Sequence, residues 1–415
     1  MITPIISESN SIEEMGVPRN LLEDLALKIL YLAGELSLHE LARRMGLKLR
    51  ILEELFERLR KEYLCQVTRM EGNVYCVTTT SAGKSRAVEL LTQNMYAGPA
   101  PVSLGDYISH VRAQSVRGID ITPQAVSRAF EHLVLRPETL EQLGTAMMSG
   151  RSIFLYGPTG TGKTTVALTL IYLFRDDPIW IPYAVEVDGE IITVYDAVVH
   201  KAAEQPIASS YDGRWVLCRR PHVLVGGEMT IEMLDLQFNP STKFYTGPVQ
   251  MKANNGLLIV DDFGRQRISP EELLNRWVVP LDRRIDFLTL AGGKKIEIPF
   301  DLLVVFATNL DPAKMVDEAF LRRIQIKIKL DYVTPQQFRE IFQRACLKLN
   351  IQHHEGMVEE LIRMISVDYK EPLRACYPRD ILQQIVWHAE YLRQVPVLDY
   401  EAAARACRSY FLSRA

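Results

Sequence analysis

Residues 157–164, Gly157-Pro158-Thr159-Gly160-Thr161-Gly162-Lys163-Thr164, match G-x-x-x-x-G-K-[ST] at every fixed position. The flanks suit the motif. Ser152-Ile153-Phe154-Leu155-Tyr156 ahead of it reads as a buried strand, and Thr165 to Ile171 behind it reads as a helix with an apolar face. A strand turning sharply into a helix leaves the first helical N–H groups without partners, and those groups suit a phosphate. Glycines at 157, 160 and 162 let the loop close around phosphate oxygens that a side chain would strike. Lys163 then reaches the outer phosphates, and the Thr164 hydroxyl suits Mg²⁺. Gly157 through Thr165 are therefore the expected nucleotide contacts. A strand, a tight loop and a helix in that order point this part of the chain to an α/β sheet with a phosphate-binding loop.

The 415 residues allow two or three domains with cores of their own. Hydrophobic content of 47% and charged content of 24% are those of an ordinary globular protein. A net charge of −3 gives no global attraction to nucleic acid or to an anionic membrane. No apolar run approaches the ~18 residues that span a bilayer. Met1-Ile2-Thr3-Pro4 lacks the basic and apolar segments of a signal peptide. The six cysteines are scattered without a C-x-x-C pair and read as reduced thiols. A cytoplasmic location is expected.

Residues 1–92 read as a separate module. Helical spacing covers Leu21 to Leu32, Leu38 to Met45 (stopped by Gly46) and Leu49 to Tyr63. Two β-like runs, 64–69 and 74–78, flank the turn Glu71-Gly72-Asn73, and a helix from Ser81 to Gln93 closes the unit. This order resembles a winged helix-turn-helix domain. Residues 93–122, opening with Ala97-Gly98-Pro99-Ala100-Pro101, read as a linker. Residues 123–330 hold the α/β nucleotide-binding domain, and 331–415 read as almost entirely helical.

Two further strands complete the expected site. Leu257-Leu258-Ile259-Val260 ends in Asp261-Asp262, so a buried strand delivers two acids at its carboxyl end. Asp261 would orient the Mg²⁺ shell and Asp262 polarise the attacking water. Leu302 to Ala307 ends in Thr308-Asn309, which places an amide where it can sit between the γ phosphate and that water.

With these residues the chain resembles the AAA+ ATPases over about residues 123–390. The resemblance implies ATP and Mg²⁺ as ligands, Asn309 as the sensor and a helical lid over 331–415. It also implies an arginine finger at Arg322 or Arg323, with Arg323 favoured, and a lid arginine at Arg379 in Tyr377-Pro378-Arg379-Asp380. The bland readings are a solvated arginine pair at 322–323 and an Arg379 tied to Asp380 or Glu371. Ala253-Asn254-Asn255-Gly256 and a hairpin-like stretch over 286–298 look like the pre-sensor hairpin group, including MoxR-type and magnesium-chelatase-type ATPases. That group implies a ring oligomer, a hexamer, acting on a protein partner.

The chain departs from the family twice. Asp262 stands where relatives carry Glu, one methylene shorter, which favours slow hydrolysis and leaves ATP binding intact. The stretch between Lys163 and Asp261 is long, and its excess, about 178–246, has no role assigned. It contains strand-like Trp180 to Val187, the turn Asp188-Gly189 and a strand-like run over 190–195. Phe244-Tyr245-Thr246-Gly247 reads as a strand and turn, the alternative being an aromatic offered to a ring's pore.

Function stays open between remodelling of a protein partner, DNA binding through residues 20–92, and an ATP-binding switch with little turnover. Residues 1–92 carry twelve Lys/Arg against thirteen Asp/Glu, and glutamates interleave with the basic residues of the 49–63 helix. A surface tracking phosphates should be more one-sided, although Arg43, Arg44, Lys48 and Arg50 do cluster.

Overall fold

Ser37 starts a helix and Gly46 ends it, as local chemistry requires. The Ser37 hydroxyl accepts from the Glu40 N–H, and Gly46 takes the left-handed φ of 68° that closes the last turn. In the computed structural model, residues 6, 8–72, 74–174, 177–204, 211–311, 322–354 and 356–411 are described. They divide into two units, each drawn from three stretches of chain: 1–119, 174–258 and 266–303 in one, and 120–173, 259–265 and 304–415 in the other.

The first unit opens with helices Arg19–Ala33, Leu38–Met45 and Leu49–Lys61, strands Cys65–Glu71 and Val74–Thr79, and helix Ser81–Gln93. A short strand, Glu35–Ser37, joins the antiparallel hairpin on the Val74–Thr79 side. Leu22, Leu52 and Leu55 are fully buried in its core, each worth roughly 1.5–3 kcal/mol of burial.

Residues 94–122 differ from the expected linker. They contain the strand Val102–Ser103 and the helix Leu104–Ala113, with Tyr107 and Val111 buried. Leu104, Tyr107, Ile108 and Val111 fall on one helical face, a period that the Gly/Pro cluster at 97–101 obscures. Val102–Ser103 ends a five-stranded sheet that continues through Ala184–Val187, Glu190–Thr193, Phe244–Thr246 and Gln237–Asn239. The long insertion thus builds a sheet with the segment that follows the front helices. Asp188 and Gly189 both take positive φ, 52° and 85°, as a two-residue hairpin turn requires. Tyr245 is buried in this sheet and its hydroxyl accepts from the Ala291 N–H, while Phe244 packs edge-on against Tyr96 at 5.7 Å. The strand reading holds here, and the pore-aromatic alternative does not. Strands Ile285–Thr289 and Lys295–Pro299 pair antiparallel, giving the hairpin expected over 286–298.

The five-stranded sheet that carries the phosphate loop runs in the order His222–Val225, Leu257–Val260, Leu303–Thr308, Ile153–Tyr156, Ile326–Lys329. Leu303–Thr308 and Ile326–Lys329 both pair parallel with Ile153–Tyr156. Leu257–Val260 and Leu303–Thr308 are buried along their whole length, the pattern of strands covered on both faces. Phe154, Phe263 and Phe306 pack with ring centroids 5.1 to 5.9 Å apart. The C-terminal helices Pro335–Leu349, Met357–Arg363, Tyr377–Leu392 and Tyr400–Tyr410 bury Phe338, Phe342, Leu361, Ile381 and Leu382. The first begins with a reciprocal cap between Thr334 and Gln337. Among the described residues, no helix is long and apolar enough to cross a membrane.

Candidate functional site at the phosphate loop

The loop between Ile153–Tyr156 and the helix Lys163–Thr169 admits only glycine at two of its positions. Gly157 has φ 143°, and a Cβ there would lie 2.0 Å from the Leu330 carbonyl oxygen. Gly160 has φ 80°, and its Cβ would lie 2.7 Å from the Cys376 sulfur, while its carbonyl accepts from the Cys376 N–H at 3.2 Å. The C-terminal helical segment therefore touches the loop backbone directly. Thr161 is buried and donates to the Pro158 carbonyl.

Lys163 folds back on the loop, its Nζ donating to the carbonyls of Gly157 at 3.0 Å and Pro158 at 2.8 Å. Burial pushes its pKa below the ordinary lysine value, and the charges of Asp261 and Asp262 oppose that shift. The Thr164 hydroxyl lies 2.9 Å from one Asp261 carboxylate oxygen and 3.1 Å from the other. Two hard oxygen donors this close suit a Mg²⁺ ion that keeps most of its waters. Asp261 also accepts from the Asp262 N–H. Asp262 is exposed and has φ 47°, a left-handed conformation that Asp tolerates better than most residues.

The acidic turn is locked to its neighbouring strand. The Phe263 N–H donates to Ala307, and the Thr308 hydroxyl donates to Phe263. The next residue, Asn309, donates from Nδ2 to the Thr159 hydroxyl at 3.1 Å. Three adjacent strands thus bring Lys163, Thr164, Asp261, Asp262 and Asn309 to one crevice of about 650 Å³, a volume in the range of small-molecule sites.

Arg379 lines the same crevice, and its Nε and Nη2 both donate to Asp380. That contact is the Asp380 ion pair of the alternative reading. Arg322 is exposed and Arg323 half-buried, and neither lines the crevice. The preceding Ala319-Phe320-Leu321 lies outside the described residues.

Sequence reasoning missed Arg136, Lys329, Arg344 and Lys348. Together with Lys163 and Arg379 they make six cationic side chains on the crevice wall, against Asp261, Asp262 and Asp331. That excess favours an anionic ligand. Lys329 was the most findable, since the alternation Ile326-Lys327-Ile328-Lys329 points every second residue away from the apolar side. Among the described residues, no cluster of three or more His, Cys, Asp or Glu side chains is arranged to hold a metal by itself.

A family model described as a domain of unknown function, DUF8689, matches residues 334–409, within the C-terminal helical segment. No curated protein matches the chain. Among solved structures, a point mutant of Thermotoga maritima RuvB matches with 14% identity and a TM-score of 0.38, covering 71% of this chain and 72% of that one. The Thermotoga maritima RuvB Holliday junction branch migration motor matches with 14% identity and a TM-score of 0.37, over 71% of this chain and 72% of that one. Similarity at this level leaves the reading of the site to its own geometry.

Proposed function

We propose that this protein is a Mg²⁺-dependent AAA+ ATPase of the pre-sensor hairpin type, assembled as a ring and acting on a protein partner. The observation that carries the reading is the convergence of Lys163, Thr164, Asp261 and Asn309 at the ends of three neighbouring strands.

ATP binding would draw the Lys163 ammonium from the Gly157 and Pro158 carbonyls onto the outer phosphates. Gly162, where an added Cβ would meet nothing within 4 Å, leaves open space at the head of the helix for that approach. Thr164 and Asp261 would hold Mg²⁺, which supplies charge neutralisation on the phosphate oxygens. Asp262, exposed beside them, is placed to take up the attacking water's proton. Asn309, fixed by Thr159, orients that water. The shorter Asp262 side chain favours slow turnover, so a slow ATPase fits this reading better than a fast one.

Arg323 would act on a neighbouring subunit's crevice, in keeping with its absence from the wall of its own. Arg323→Ala is expected to keep ATP binding in the full-length protein while turnover falls about 10³-fold or more. ATPase rates measured alongside the assembly state by light scattering test this. Wild-type turnover in the variant, or equal turnover by strictly monomeric wild type, would move the finger elsewhere.

The DNA-binding alternative has less support. Arg43 and Arg44 pair with Glu40, Arg58 with Glu23 and Glu62, and Arg60 with Glu57. Lys48, at the start of the Leu49–Lys61 helix, donates to Asn10 and faces the Glu8 carboxylate at 3.6 Å. Gly46, in the turn before that helix, lies against the backbone of Gly213, so the insertion packs against the turn that leads into it. A front module in which most of the clustered cations already face glutamates suits a protein partner better than a phosphate backbone.

A further inference from the structure

Arg379 is held by a carboxylate that is itself held. Its Nε and Nη2 donate to one oxygen of Asp380 at 3.0 and 2.9 Å. The other oxygen of Asp380 accepts from the Tyr410 hydroxyl at 3.0 Å. Tyr410 closes the Tyr400–Tyr410 helix, and its ring packs against Tyr377 at 5.6 Å and Phe411 at 5.1 Å. Phe411 in turn packs on Tyr377 and Tyr369. Burial, with Cys376 and Asp380 beside it, pushes the Tyr410 phenol well above its ordinary pKa, so it stays a donor. Asp380 is anchored to the aromatic core of the C-terminal helical segment, whereas the Arg379 side chain is mostly exposed.

The N–H groups that Arg379 gives to Asp380 are the same forked donors that would meet a phosphate. Because Tyr410 fixes Asp380, the arginine cannot carry its partner along when it moves to a ligand. We propose that Asp380, held by Tyr410, is a positioning residue that competes with the terminal phosphate for Arg379 and so sets how strongly ATP is preferred over ADP. This rests on the nucleotide reading of the crevice. ADP has no terminal phosphate to claim the arginine, so the restraint weakens ATP binding selectively. The competing pair is exposed and therefore modest in strength, as a restraint that a ligand must release should be.

The test uses the full-length protein with fluorescent ATP and ADP analogues at fixed Mg²⁺. Asp380→Asn is expected to tighten ATP binding about two- to fivefold, the range set by an exposed ion pair, and to leave ADP affinity unchanged. In an Arg379→Ala background the same substitution should have no effect on either nucleotide. Tyr410→Phe keeps the Asp380 carboxylate in the first turn of the Tyr377–Leu392 helix and should shift ATP affinity in the same direction by a smaller factor. Equal shifts for ATP and ADP, or a shift that survives Arg379→Ala, would overturn the proposal while leaving the crevice a nucleotide site. Failure of the wild type to bind either analogue would overturn both.

Discussion

Replacing Lys163 with alanine is expected to abolish measurable ATP binding or to cut turnover by at least about 10²–10³-fold, the cost of deleting one preorganised charged donor. The ammonium already sits inside the phosphate loop, bonded to two of its carbonyls. Removing it leaves those carbonyls facing the ligand with no positive charge beside them. Fold and assembly should be retained, because the hydrogen bonds of this side chain run to the loop itself. Far-UV circular dichroism together with nucleotide titration separates the two effects. An unchanged ATPase rate would remove Lys163, and with it the phosphate loop, from the chemistry.

Asp262→Asn is expected to separate binding from hydrolysis. The amide matches the carboxylate in size, so the turn at φ 47° should persist, and Thr164 and Asp261 are untouched. The lost basic oxygen should slow turnover about 10²–10⁴-fold with little change in ATP affinity. Single-turnover hydrolysis of labelled ATP, beside equilibrium binding, gives both numbers. Normal hydrolysis in this variant would place the base at another residue.

Most of the site is legible in the sequence because each part is local. A phosphate loop needs its glycines within eight residues, and an apolar run ending in Asp261-Asp262 or Thr308-Asn309 states its own orientation. The sheet order makes those ends neighbours. What escaped depends on distant partners. Arg136 and Arg344 come from two separate segments, and nothing local marks them as sharing a crevice. Asn254 and Asn255 read only as a family lead-in, yet both are buried anchors. Asn254 donates to the Tyr107 hydroxyl and the Pro299 carbonyl, and Asn255 donates to Val111 and Asp301. Those bonds hold the Leu104–Ala113 helix in a stretch expected to be a linker. Buried amides of this kind must be satisfied, but a sequence does not say by which residues. The two units also interleave along the chain, a pattern that reading successive segments does not reveal.

Equilibrium dialysis of labelled ATP against the full-length chain, with Mg²⁺ and with EDTA, for wild type and Asp261→Ala, bears most directly on the site. One ATP per chain is expected, with affinity at least tenfold weaker both on removing the metal and on removing Asp261, a loss of the size that disturbing a metal shell produces. No ATP bound, or ATP bound equally well without Mg²⁺ and without Asp261, would contradict a triphosphate and metal held together where the three strands end.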